Sequence, residues 1–406
     1  MNASAGDTPR VALRRLQLRD FRNFGRQDVE LPAEGMAIVG ENGHGKTNLL
    51  EAIYYLQLLR SVRGARDVDL VRFGAAGFHV SAEAVLGDGR RREIAVGFER
   101  AGRRKRVRLD GSEPARLSEA LGALPSVIFS PGDVALVAGA PSERRRYLDV
   151  ALALTSRRYL AALQAYRGAL VRRNAALRET ARRGGAADRA AVWEPALAEH
   201  GATLRRERVA WVAHWSDELT RLCRAIGERG AVRMRYASAQ PLDGDLAAAL
   251  RATLEAKREH DVRRGITGAG PHRDELELTL AVPEGEGENA PDGPPRELRV
   301  FGSAGQQRTA AIALRMLEAA TLREASGALP LFLLDDPFAE LDARRAHRIL
   351  ELLDTAGLGQ TILVVPRESD IPPELTRLER RRIVQGVLAP ATAARLPDES
   401  RPMVGA

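Results

Sequence analysis

An α/β fold interrupted by a mainly α-helical lobe is what this sequence predicts, from three observations. Short apolar strands alternate with helices near both ends of the chain. A glycine-rich loop, GENGHGKT (40–47), joins a buried strand pattern to an apolar helix. Between the two ends the apolar period changes to about 3.5 residues and stays helical for more than 100 residues.

Residues 11–24 alternate apolar and charged positions (Leu13, Leu16, Leu18, Phe21), which predicts a strand and a turn. GMAIV (35–39) predicts a buried strand, and residues 49–59 predict a helix. Strand patterns follow at 78–86 and 93–108, set off by the turns GDGRR and LDGSE. After Pro141, the positions Leu148, Leu152, Tyr159, Leu163, Tyr166, Leu170 and Leu177 form one helical seam. Gly184 and Gly185 interrupt it, and a second seam runs from Trp193 to Ile226, so a short antiparallel hairpin is expected. A third helix spans 246–264. Strands at 275–282, 297–301, 329–334 and 360–365, with a helix at 343–355, complete the reading. PEGEGENAPDGPP (283–295) is acidic and rich in Gly and Pro, which predicts a solvated loop. The expected divisions are 1–125, 126–282, 283–296, 297–390 and a disordered tail at 391–406.

Composition narrows the function classes. The chain has 62 Lys and Arg against 54 Asp and Glu, a net charge of +8 that favours a polyanionic partner, nucleic acid above lipid. Lysine occurs only at Lys46, Lys105 and Lys257, and a drift of Lys to Arg accounts for that bias equally well. The single Cys223 excludes an intramolecular disulfide framework, and no Cys/His cluster suggests structural zinc. With no signal-like N-terminus and no membrane-length apolar run, a cytoplasmic protein without membrane contact is expected.

GENGHGKT fits G-x-x-x-x-G-K-[ST]. Its glycines let successive N–H groups curl around phosphates. Lys46 is expected at the β- and γ-phosphates of ATP and Thr47 at Mg²⁺, with Gly40, Glu41, Asn42, Gly43, His44, Gly45 and Asn48 completing the cradle. LPLFLLDD (329–336) ends an apolar strand on two carboxylates. Asp335 is expected to hold Mg²⁺, and Asp336 to orient or deprotonate the attacking water. From 142 to 183, eleven arginines face three carboxylates, a local net charge of +8 that equals the whole chain's. Arg144, Arg145, Arg157, Arg158, Arg172 and Arg173 recur around the seam; a DNA-binding face and a merely solvated helix face fit this run equally.

GENGHGKTNLLEAI (40–53), FGSAGQQRTA (301–310) and LLDDPFAELD (333–342), in that order, resemble the ABC-type P-loop ATPase heads of SMC-like proteins, and most closely the RecF family. FRNF (21–24), LLRSVRG (58–64), VIFSPGDVALVAGAPSERRRYLD (127–149) and GPHRDEL (270–276) resemble motifs of that family too. The resemblance implies that Ser303, Gly305 and Gln306 cap the ATP of a second copy in an ATP-dependent homodimer, and that Arg22 and Arg63 lie near the nucleotide. It also implies duplex DNA at single-strand gaps as ligand, RecR and RecO as partners, and RecA loading and the SOS response downstream. Where the family has a sensing residue, this chain has Gly132 beside Asp133; at the switch after the last strand it has Val365, Pro366 and Arg367. Pro366 removes a backbone donor, so slow or uncoupled hydrolysis is expected. Another SMC-like head and a transporter ATPase are the rival readings.

Overall fold

A computed structural model describes residues 8–183, 188–282, 293–338, 342–355, 357 and 359–390. The chain divides into two compact units, the first made of residues 1–131, 326–340 and 353–406, the second of 132–325 and 341–352. The α/β fold with an inserted helical region is present, as the alternating patterns predict.

The first unit contains two sheets. An antiparallel sheet runs in the order Phe24–Glu30, Ala12–Phe21, Gly77–Val85, Arg91–Glu99 and Arg104–Leu109. Its strands largely alternate: Leu16, Leu18, Val80, Ala82, Val96 and Val107 are buried, while Arg19, Arg26, His79 and Arg106 are exposed. The second sheet runs Val387–Pro390, Glu379–Val384, Gly35–Val39, Thr361–Val365, Leu331–Asp335 and Ser126–Phe129, parallel except for the terminal hairpin. Its central strands are buried up to their last residue or throughout, which is why they read as unbroken apolar runs.

The helix Lys46–Leu58 packs on strands of both sheets, so every residue from Leu49 to Leu58 is buried. Such a helix shows no amphipathic stripe. Gln360, fully buried, ties the layers: its amide donates to the carbonyls of Leu13 (2.8 Å) and Pro32 (2.6 Å) and accepts from the Leu13 N–H (2.6 Å).

The second unit is built on helices Pro141–Thr155, Arg157–Arg183, Glu194–Ile226, Leu246–Arg264 and Ala304–Ser326, with strands Ala231–Ala237, Glu275–Ala281 and Arg296–Glu297. The first seam is two helices, not one. The chain is extended at Ser156, whose hydroxyl accepts from the Tyr159 N–H and caps the new helix. Residues 298–301 form a helical turn where a strand was expected, and 93–108 splits into two strands at a turn. Residues 283–292 of the loop expected at 283–296, and the tail at 391–406, lie outside the described residues; Arg296 begins the strand Arg296–Glu297.

Candidate nucleotide-binding site

Sequence places the glycines where the backbone demands them. Gly43 (φ +86°) and Gly45 (φ +109°) adopt the left-handed region, and a Cβ on Gly45 would sit 2.6 Å from the Asn23 amide. Gly45 also opens the helix Lys46–Leu58, and no side chain caps that helix end. Its first N–H groups therefore carry the partial positive charge that binds anions.

The loop ends in a cleft of about 370 Å³. Asn42, Gly43, Gly45, Lys46, Thr47, Asn48 and Arg63 line it, opposed by Asp335 and Asp336, with Pro131 and Pro366. Lys46 donates to the carbonyls of Gly40 and Glu41, the latter at 2.9 Å. Burial holds its ammonium below the usual lysine range, partly offset by Asp335 and Asp336. The Thr47 hydroxyl lies 3.1 and 2.9 Å from the two Asp335 oxygens. Burial pushes the Asp335 carboxyl up against the Thr47 hydrogen bond, and Asp336 adds repulsion. A buried cation and a half-buried carboxylate, each disfavoured in its charged form, suit a site that receives both an anion and a cation.

Thr47 and Asp335 supply the hard oxygen donors that Mg²⁺ prefers; among the described residues no group of three or more His, Cys, Asp or Glu forms a metal cage. That donor set fits a Mg²⁺ completed by phosphate oxygens and water, which neutralises phosphate charge when bound. Asp336 takes a left-handed backbone (φ +46°) and its N–H donates to Val364 at 2.9 Å, which fixes the second carboxylate at the strand end.

Gly40, Glu41, His44 and Arg22 do not line the cleft. Gly40 and Glu41 act through their carbonyls on Lys46, and the His44 carbonyl accepts from Asn23 (3.1 Å) and Gly386 (2.9 Å). Arg22 is committed elsewhere: its guanidinium forms a two-pronged pair with Glu51, which is fully buried, at 2.9 and 3.0 Å. Sequence patterns do not single out Asn23 and Glu51, which support the site from behind. The signal for Glu51 was a lone carboxylate within the apolar run LLEAIYYLQLL; Asn23 braces the loop through Asn48 (2.8 Å) and has no such signal.

The RecF/RecN/SMC N-terminal domain family model matches residues 12–373. The "DNA replication and repair protein RecF" of Chloroflexus aggregans is 37% identical, over 92% of this chain and 98% of that protein. Its counterpart from Roseiflexus castenholzii is 36% identical, over 93% and 99%. The chain belongs to the RecF family. A solved structure described as the recombination mediator protein RecF-ATP in the RecFOR pathway superposes with TM-score 0.83 at 27% identity, covering 95% of this chain and 99% of that one. An Smc head domain from Pyrococcus furiosus shares the fold at 18% identity and TM-score 0.54.

In this RecF-family chain Ser303, Gly305 and Gln306 belong to the second unit and are not among the residues that line the cleft. Ser303 and Gln306 form a reciprocal capping box: the Gln306 N–H donates to the Ser303 hydroxyl (3.2 Å) and the Ser303 N–H to the Gln306 side chain (2.9 Å). Ser303 is exposed. A side chain at Gly305 would meet the Arg345 guanidinium at 2.6 Å. Asp133, beside Gly132, takes Arg315 at 2.6 Å.

The arginine run splits by burial. Arg157, Arg158 and Arg172 are exposed, Arg172 over the Trp193 ring at 5.1 Å. Arg145 is half-buried and donates to the Asp274 carbonyl at 2.9 Å. Arg144 and Arg173 leave the DNA-facing set. Arg144 is buried on Glu275 (2.8 Å) and the carbonyls of Val137 and Gly139. Arg173 has no exposed surface and joins Asp261 (2.8 Å), Glu194 (3.0 Å) and Thr267 (2.9 Å).

Proposed function

We propose that this chain is an ATP-switched, DNA-binding recombination mediator. The observation that carries the reading is the cleft in which buried Lys46 and the Thr47–Asp335 pair converge on one glycine loop. Lys46 and the helix N-terminus bind the phosphates, Thr47 and Asp335 hold Mg²⁺, and Asp336 orients the water that attacks the γ-phosphate. Pro366 stands on the cleft wall without an N–H to donate, so this wall gives the transition state little help and turnover is slow.

Ser303, Gly305 and Gln306 serve the ATP of a second copy, so that ATP closes a homodimer with two nucleotides at its interface. Exposure of Ser303 at a helix N-terminus supports this, since its capping bond is local and exchangeable. The closed dimer clamps duplex DNA near single-strand gaps in the cytoplasm; hydrolysis reopens it. By family membership, and by the RecFOR pathway named for a structural relative, RecR and RecO are the partners and RecA loading the outcome. Among the described residues no helix is long and apolar enough to cross a membrane.

Filter binding of labelled duplex tests the proposal. ATP-dependent retention is expected, with Lys46→Ala reducing it to the ATP-free level. Equal retention with and without ATP at physiological salt would refute the switch.

A further inference from the structure

Two stretches that the nucleotide cleft does not use, APSERRRYLD (140–149) and GPHRDEL (270–276), meet at one cavity in the second unit. It measures about 210 Å³, and its polar lining is Ser142, Arg145, Arg146, Arg167, Arg208 and Asp149. The lining thus carries four guanidinium groups and one carboxylate. Asp149 accepts from Arg208 (2.7 Å), Arg167 (2.8 Å) and the Tyr159 hydroxyl (2.5 Å), while Arg145 donates to the Asp274 carbonyl (2.9 Å). Burial pushes the Arg145 guanidinium down, and the nearby charges of Arg208 and Arg273 act in the same direction, against Glu275 and Asp149.

His272 also lines the cavity but adds no charge. Burial lowers it to about 4, its Nδ1 lies 2.6 Å from the Tyr166 hydroxyl, and its Nε2 lies 3.1 Å from the Thr267 carbonyl. Clustering half-buried cations costs free energy unless an anion joins them. Arginine forks match the oxygens of a phosphate. Ser142 adds a hydroxyl in the first turn of the helix Pro141–Thr155, an end that no side chain caps.

We propose that this cavity is a second oxyanion site, which seats one phosphate group of a DNA strand; the choice of strand rests on the reading of the chain as a DNA-binding protein. Two features favour DNA over a free nucleotide. The volume falls below the roughly 300 Å³ at which sites for whole small molecules begin, so it admits a phosphate without its base and sugar. Arg167, half exposed, stands on one helix with the exposed Arg157, Arg178 and Arg182 on its side, cations that successive phosphates of a strand would meet in turn.

The test uses the full chain with saturating ATP and a fluorescent duplex, titrated at a series of salt concentrations. Arg146→Gln and Arg167→Gln, tested singly, are expected to weaken DNA binding about tenfold at fixed salt and to reduce the slope of log K against log salt by about 0.9 each. ATP affinity and melting temperature stay at the parent's values, which separates loss of the site from loss of fold. A second arm titrates inorganic phosphate in a thermal-shift assay at the same ATP concentration. A rise in melting temperature that both variants lack, with DNA affinity unchanged, keeps the oxyanion site and assigns it to a small phosphate. Variants that match the parent in DNA affinity, salt slope and phosphate response overturn it. A parent chain that binds no DNA refutes the DNA reading instead, and the phosphate arm then decides the cavity alone.

Discussion

Lys46 and Asp335 carry opposite charges, and burial acts against both. Their neighbours divide the labour. Thr47 bonds Asp335, the pair proposed to hold Mg²⁺, while Asp336 is held beside it by a left-handed backbone and its N–H bond to Val364. Asn also tolerates that backbone, so Asp336→Asn preserves the strand end and removes only the carboxylate. ATP hydrolysis is expected to fall about 10²- to 10⁴-fold while ATP affinity, measured by calorimetry, stays within a few-fold. Unchanged turnover in this variant removes Asp336 from the chemistry. At this scale the sequence was most legible for the loop and the carboxylate pair, because short-range spacing defines both. Arg22 was less legible for the opposite reason: its partner Glu51 lies 29 residues away.

Helices of the second unit are joined by an ionic clasp rather than by apolar packing alone. Arg173 on Arg157–Arg183 reaches Asp261 on Leu246–Arg264 and Glu194 on Glu194–Ile226, all buried. Arg173→Met leaves buried Asp261 without its cation, while Glu194 keeps Arg258 at 2.8 Å, and denaturant unfolding is expected to show a loss of about 3–5 kcal/mol. A loss below about 1 kcal/mol would show that the clasp adds nothing to the packing. Sequence periodicity located these helices, since their seams bury one face. It missed the break at Ser156, because the apolar spacing continues across the extended residue, and it missed the strand Ala231–Ala237. Nor does periodicity distinguish a surface arginine from a buried one whose partners lie 21 and 88 residues away.

Across the whole molecule the nucleotide chemistry and the signature occupy separate units. The cleft has its glycine loop and its carboxylates, and the Ser303 helix end is exposed, closed by its own capping box. In the dimer proposed above a second copy supplies the match, and on that reading quaternary structure is the hinge between ATP and DNA. Substitution at Ser303 affects the local capping box as well, at a cost of about 1 kcal/mol, so Ser303→Thr serves as the control that keeps a hydroxyl cap. Sedimentation velocity with and without saturating ATP tests the shared site most directly. The parent and Ser303→Thr should sediment as dimers only with ATP, and Ser303→Arg should remain monomeric at equal ATP occupancy. A parent that stays monomeric with ATP, or a Ser303→Arg variant that dimerises like it, would contradict the account.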